Sequence, residues 1–365
     1  MRTFEELKEL LKVMMRSGAS DLHIRAGSKP ILRVNTQLKV AGKFANISPE
    51  DGEKLIEDIC SEEELQEYKK NKEVDMSLSV AGVARFRVNI FQQRNTVNIV
   101  MRLVPTQSPT IEELQLPESL KKISSQQRGI ALVTGTTGSG KTSTLAAMID
   151  YINKNFSKHI ITLEDPIEYL HKDMKSIVSQ REVGVDTYSY PGALKHIVRQ
   201  DPDVILIGEM RDIETMKAAL TAAQMGHLVL STVHTINAVQ TITRIVDIFP
   251  PHHQNQIRLQ LADSIVAVVS QRLLPRKDDE GMIPAVEVMV ATSLIRKLIE
   301  ENDYTGINEQ IEKGDYYGMQ SFNQSLEKLY KDEHIDLDEA KKAATNPEDL
   351  MLRIRGIKSS SGAEA

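Results

Sequence analysis

The run GTTGSGKT at 135–142 constrains this chain more than any other segment. It has the form G-x-x-x-x-G-K-[ST], with the apolar stretch IALVT at 130–134 leading in and TSTLAAMI at 142–149 leading out. A strand that ends in glycines and turns directly into a helix belongs in a parallel sheet flanked by helices. Gly135, Gly138 and Gly140 let the backbone curl around Thr136, Thr137 and Ser139, so that N–H groups face a phosphate. The start of the following helix, at Thr142 and Ser143, adds partial positive charge. Lys141 reaches the β- and γ-phosphates, and the Thr142 hydroxyl faces Mg²⁺. The expected ligands are therefore ATP and Mg²⁺.

The pattern around this loop repeats. Apolar strands are expected at 130–134, 160–163, 204–207, 228–232 and 265–270, with helices at 142–153, 192–199, 213–225 and 236–246. Strands apolar on both faces, alternating with helices, predict a buried parallel sheet. From Ser293 onward the pattern is helical, and the SSSGAEA end reads as a disordered tail. No internal repeat is present.

The N-terminal third has a different rhythm. Thr3 with Glu6 forms a capping box, and Phe4, Leu7, Leu10, Leu11, Met14 and Met15 fall on one helical face that Gly18 ends. Short alternating stretches at 21–24, 30–34, 75–80, 84–91 and 96–103 predict antiparallel strands, interrupted by a helix at 49–69. Three prolines within 104–117 mark a linker with one helical turn at 111–114. The expected organisation is an α+β domain at 1–104, a linker at 105–117, an α/β core at 118–290 and a helical region at 291–365.

Composition narrows the class. A single cysteine, Cys60, rules out an intrachain disulfide and a four-cysteine zinc site. It also fits a reducing compartment. A formal charge of −6, no tryptophan and only 4% aromatic residues give little basis for nucleic-acid binding. No apolar run approaches the ~18 residues needed to span a bilayer. The acidic, amphipathic MRTFEELKELL start is unlike a signal peptide, so the chain is expected to stay in the cytoplasm.

Hydrolysis needs a carboxylate that orients water. Glu164, in ITLEDPIEYLH, and Glu209, in DPDVILIGEMRD, both fall at strand ends on the phosphate side of the predicted sheet. Either is also open to a structural reading as a helix N-cap, with Asp165 and Asp212 close by. His234, in GHLVLSTVHT, follows another strand, where an imidazole can sense the γ-phosphate. His227, at the start of that strand, is as readily structural.

The blocks GTTGSGKTSTLAAMIDYIN, ITLEDPIEYLH, DPDVILIGEMRD and GHLVLSTVHT resemble the Walker A, Asp box, Walker B and His box of the type II/IV secretion superfamily of ATPases. Nearly the whole chain resembles its pilus-retraction branch. The resemblance implies a RecA-like core behind a PAS-like α+β domain. It also implies a homo-hexameric motor with ATP between its domains, and a membrane-embedded platform protein as partner. Location would then be the cytoplasmic face of the inner membrane. Retraction is favoured over extension or secretion by the absence of a four-cysteine insertion and by the start close to SDLHIRAGSKPILRVN. LIRKLIEE at 294–301 also resembles that branch's AIRNLIRE box, departing at Lys297 and Glu300. Asn35-Thr36 stands where a glycine is common. The resemblance further implies Glu164 as general base, with Glu209 assisting at Mg²⁺. Arg85, Arg87, Arg94 and Arg102 would reach the nucleotide from the N-terminal domain, with Arg199 and Arg211 as weaker sensor candidates.

Overall fold

The computed structural model describes residues 4–278 and 281–357. Thr3 of the expected capping box and the SSSGAEA tail lie outside the described residues. The chain divides into two units, Met1–Gln107 with Glu168–Leu170, and Ser108–Ile167 with His171–Ala365.

The first unit begins with α1 (Phe4–Arg16), whose Leu7, Leu10, Leu11 and Met14 are fully buried on one face. Next come β1 (Asp21–Arg25), β2 (Ile31–Val34), β3 (Gln37–Val40), α2 (Pro49–Ile59), α3 (Glu62–Asn71), β4 (Glu73–Val80), β5 (Ala84–Gln93) and β6 (Thr96–Leu103). The strands form one antiparallel six-stranded sheet in the order β3-β2-β1-β6-β5-β4. Phe86, Val88 and Ile90 of β5 point into the core, so period-two alternation turns Arg85, Arg87 and Asn89 to the other face. The expected single helix at 49–69 is two helices. Ser61 starts a second capping box, accepting from the Glu64 N–H while the Ser61 N–H donates to the Glu64 carboxylate at 2.7 Å. Strand β3, QLKV, is exposed along its length and is an edge strand the sequence reading did not include.

The second unit contains α4 (Ser119–Ser124), β7 (Gly129–Thr134), α5 (Lys141–Asn155), β8 (His159–Glu164), β9 (Ile177–Glu182), α6 (Tyr190–Ile197) and β10 (Val204–Ile207). It continues with α7 (Ile213–Gln224), β11 (Leu228–Val233), α8 (Ala238–Asp247), α9 (Pro251–Ser264), β12 (Ile265–Pro275) and β13 (Met282–Val290). Helices α10 (Ser293–Glu301), α11 (Tyr304–Lys313), α12 (Phe322–Lys331), α13 (Leu337–Ala343) and α14 (Pro347–Ile354) close it. The sheet order is β13-β12-β7-β11-β10-β8-β9. The five expected strands pair in parallel as read, β9 adds a further parallel edge, and the chain returns as an antiparallel β12–β13 hairpin at the other edge.

Strand β7 is buried on both faces. Ile130 and Leu132 pack into the cluster with α6–α9, whereas Ala131 and Val133 pack against α4 and α5. Two-sided burial is why this strand reads as an unbroken apolar run. Helices α10 and α11 extend the first of these clusters, and α12 and α14 join a smaller one with Leu274, Ile283 and Ala285 of the β12–β13 hairpin.

Asn35 and Thr36 connect β2 to β3 as a two-residue turn with φ of 47° and 67°. Positive φ at both positions suits Asn-Gly, and a β-branched residue is strained at the second. Thr36→Gly is expected to stabilise the protein by about 1 kcal/mol. Urea unfolding followed by circular dichroism measures it. A loss of stability would show that the Thr36 hydroxyl, which donates to the Asn35 carbonyl at 2.6 Å, outweighs the backbone strain.

Candidate active site

The loop between β7 and α5 is shaped by two glycines. Gly135 has φ 150°, and a Cβ there would lie 2.4 Å from Ser139 Oγ and 2.6 Å from the Gln271 carbonyl. Gly140 has φ 90° and caps the start of α5. Lys141 is 9% exposed, and its ammonium donates to the carbonyls of Gly135 at 3.0 Å and Thr136 at 2.9 Å. Burial pushes its pKa down, and the negative charge of Glu209 opposes that shift. The loop tip, Thr136, Thr137 and Gly138, is exposed, whereas Ser139 is buried with an Oγ that finds no partner among the described residues. Thr144 on α5 exchanges hydrogen bonds with Gln271 on β12, fixing the helix to the sheet.

The acidic edge lies at the carboxyl ends of the neighbouring strands. Ser231 and Thr232 of β11 donate to the carbonyls of Ile207 and Gly208 at 2.8 and 2.7 Å, stitching β11 to the end of β10 just before Glu209. The Glu209 carboxylate pairs with Arg211 at 2.7 Å and faces His234 Nε2 at 3.5 Å. Asp212, not Glu209, caps α7, accepting from the Thr215 N–H at 2.8 Å. A Cβ on Gly208 would meet the Tyr190 hydroxyl at 3.0 Å and the Leu163 carbonyl at 3.3 Å, so glycine leaves room for Tyr190 at this edge. Burial pushes the Tyr190 phenol up, and the charges of Asp165, Glu209 and Glu164 push it further. Sequence reasoning missed Tyr190, because α6 gives no local sign that its first residue enters an acidic cluster.

Strand order separates the two glutamates. Strand β10 lies two positions from β7 and β8 lies three, placing their backbones about 10 and 14 Å away at ~4.8 Å per strand. Glu164 is also engaged locally. Its carboxylate accepts from the Thr162 hydroxyl at 2.6 Å and the Gln180 amide at 3.1 Å. Gln180 in turn accepts from the His171 N–H at 2.8 Å, and the His171 ring meets the Ser108 hydroxyl at 3.3 Å. Burial pushes His171 down to about 4, so it is neutral near pH 7. Glu209 thus lies one strand nearer the phosphate loop than Glu164, and both carboxylates have partners, Arg211 and His234 for the one and Thr162 and Gln180 for the other.

Other expected residues separate cleanly. His227 bonds the Pro202 carbonyl at 2.7 Å, at the end of β11 away from His234, and is structural. Arg199 lies just before β10, at the sheet end opposite the phosphate loop, while Arg211 belongs to the acidic edge. In the first unit, Arg87 and Arg102 are cross-strand partners, and Arg85 shares their face. Asp21, 3% exposed, pairs with Arg102 at 2.7 Å and Arg33 at 3.7 Å, committing Arg102 to the sheet. Arg85 donates to the Ser79 hydroxyl at 3.1 Å. Arg87 has no hydrogen-bond or ion-pair partner among the described residues. Arg94 stands apart at the β5–β6 turn with φ 50°.

No group of three or more His, Cys, Asp or Glu side chains among the described residues is arranged to hold a metal ion. Mg²⁺ at nucleotide sites binds through one or two protein oxygens plus substrate phosphates. The exposed Thr142 hydroxyl at the start of α5 and the Glu209 carboxylate are the oxygens present. Beside the loop lies a cavity of about 340 Å³, lined by Leu116, Ser143, Gln271, Leu273, Arg276 and Pro284, within the size range of small-ligand sites. Its walls come from segments distant in sequence, which hid it from sequence reading.

The family model for type II/IV secretion system proteins matches residues 3–287. The chain is 42% identical over 348 residues to the type IV pilus retraction ATPase PilT of Pseudomonas aeruginosa, covering 94% of this chain and 100% of that one. It is 41% identical over 350 residues to the type IV pilus ATPase PilU of the same organism, covering 96% and 91%. The crystal structure of the pilus retraction motor PilT with bound ADP superposes with a TM-score of 0.87 at 44% identity, covering 96% of this chain and 99% of that one. The resemblance drawn from the four boxes is therefore borne out.

Lys141→Ala is expected to weaken ATP binding about 100-fold, the scale of two charge-assisted hydrogen bonds, with the far-ultraviolet spectrum unchanged. Titration with a fluorescent ATP analogue checks this. Undiminished affinity in a folded variant would remove the loop from the account.

Proposed function

The chain belongs to the type II/IV secretion system protein family, whose members include ATPases, and we propose that it is the ATP-driven motor of type IV pilus retraction. The observation that carries the chemistry is Glu209, held between Arg211 and His234 at the sheet edge, with its charge felt by the buried Lys141 ammonium. In this reading the loop amides and Lys141 bind the β- and γ-phosphates, and the Leu116–Leu273 cavity takes the base and sugar. Mg²⁺, held by Thr142 and the phosphates with Glu209 beside it, supplies charge neutralisation at the transferred phosphoryl group. Glu209 orients the attacking water and accepts its proton. His234 is placed to respond when the γ-phosphate leaves, and Glu164 reports through Gln180 and His171 to Ser108 in the linker. Arg87, the arginine with a free guanidinium on its sheet face, is the first candidate to reach a nucleotide from the N-terminal unit, ahead of Arg85, Arg94 and Arg102.

Mutual coverage with the retraction ATPase supports retraction over secretion, since both chains align almost end to end. A homo-hexamer working on a platform protein in the membrane completes the reading. No helix among the described residues is long and apolar enough to cross a membrane. Deleting the gene in its host is expected to leave cells with excess, static pili and no twitching motility, scored by electron microscopy and by imaging labelled pili. Bald cells would contradict retraction and indicate extension. Normal pilus dynamics would remove the pilus from the account.

A further inference from the structure

Glu287 on β13 is 7% exposed, and its carboxylate lies between two parts of the site. It accepts from the N–H of Ala238 at 2.8 Å, the first residue of α8 and four positions beyond His234. Ser270 is its cross-strand neighbour on β12. Ser270 Oγ accepts in turn from Thr134 Oγ1 at 3.0 Å, and Thr134 immediately precedes Gly135. Thr134 and Ser270 are both fully buried. Buried neighbours thus link the root of the phosphate loop, through Thr134, Ser270 and its cross-strand partner Glu287, to the helix that follows the histidine segment. The next residue on β12, Gln271, holds α5 through Thr144.

Helix α8 leaves its first N–H groups without partners inside the helix. Asn237 satisfies Gln240 at 2.8 Å, and Glu287 satisfies Ala238. A negative charge there also complements the positive end of the helix dipole. Glutamine offers a similar acceptor without the cost of burying a charge, so the carboxylate contributes something an amide does not. We propose that Glu287 is a positioning residue whose negative charge holds the His234 segment in register with the phosphate loop. This rests on the ATPase reading above.

The only charged side chain whose field reaches Glu287 among the described residues is Arg272 on β12. Helix α8, packed on β13, contributes the Ala238 N–H, α12 sends Ser325 to the Val286 amide, and α11 brings no charge to it. Burial pushes the carboxyl up to about 7, against the opposing pull of the Ala238 N–H, Arg272 and Ser270. Its charge is therefore present above neutrality and lost as the pH falls.

The test is steady-state ATP turnover by the full-length wild type, Glu287→Gln and Glu287→Leu between about pH 6 and pH 8.5, with kcat and KM separated. The wild type should lose kcat on acidification with a midpoint near 7, at constant KM for ATP. Glu287→Gln should give a flat profile at the wild type's acidic value. Glu287→Leu, which removes the acceptor, should lower kcat about 10-fold or more at every pH with KM within about twofold. A Glu287→Gln profile that keeps the wild-type inflection overturns the inference alone, as does a folded Glu287→Leu protein with wild-type kcat. If Glu287→Leu does not fold, the glutamine profile decides. No turnover by the wild type overturns the ATPase reading and this inference together.

Discussion

The ammonium of Lys141 is the group around which the second unit is organised. A cation removed from water needs acceptors held in place, and here the carbonyls of Gly135 and Thr136 supply them. The loop presents those carbonyls because Gly135 and Gly140 take conformations that side chains disfavour. It stays in register because β7 is clamped between β11 and β12, with the Thr144–Gln271 pair fixing α5 behind it. The same ammonium competes for any phosphate offered to the loop, so the interaction that shapes the loop also selects its ligand.

Around that charge the acids are graded by distance and by occupation. Glu209 is two strands away, and its partners Arg211 and His234 are exposed. Glu164 is three strands away and tied by Thr162 and Gln180 into the loop that ends at His171. In the proposed reading one carboxylate serves the chemistry and the other transmission. Edge strand β9 makes the second role feasible. Its Gln180 and Glu182 hold the N–H groups of His171 and Ile167, at 2.8 and 2.9 Å, and so brace the Asp box from the side.

Much of this was legible in the sequence, and the failures have physical causes. Strands β6 and β10 fall on the expected residues, because one buries Val97, Ile99 and Met101 at every second position and the other is a short apolar run buried on both faces. Strand β9 was missed because an edge strand reading IVSQRE buries little of either face. Strand β13 was missed because Pro284 argues against a strand interior, and it pairs on one side only. Helix α9, PHHQNQIRLQLADS, has no clear apolar stripe, and only Ile257, Leu261 and Ala262 of its apolar residues are buried. Sequence alone does not rank Glu164 and Glu209 by distance from the phosphate loop, for a deeper reason. Strand β8 follows the phosphate loop first in sequence yet lies farther from it than β10 or β11, and strand order is set by crossovers that local pattern does not encode. Glu287, on the missed β13, was out of view for the same reason.

The assignment of Glu209 as the water-activating residue is the centre of this account. Single-turnover hydrolysis of ATP by Glu209→Gln and Glu164→Gln, with nucleotide affinity measured in parallel, tests it most directly. The account predicts that Glu209→Gln binds ATP as the wild type does but hydrolyses it about 100-fold or more slowly, the scale of a lost general base. Glu164→Gln should stay within about 10-fold of the wild-type chemical rate. A Glu164→Gln protein that traps intact ATP while Glu209→Gln turns it over would contradict the account.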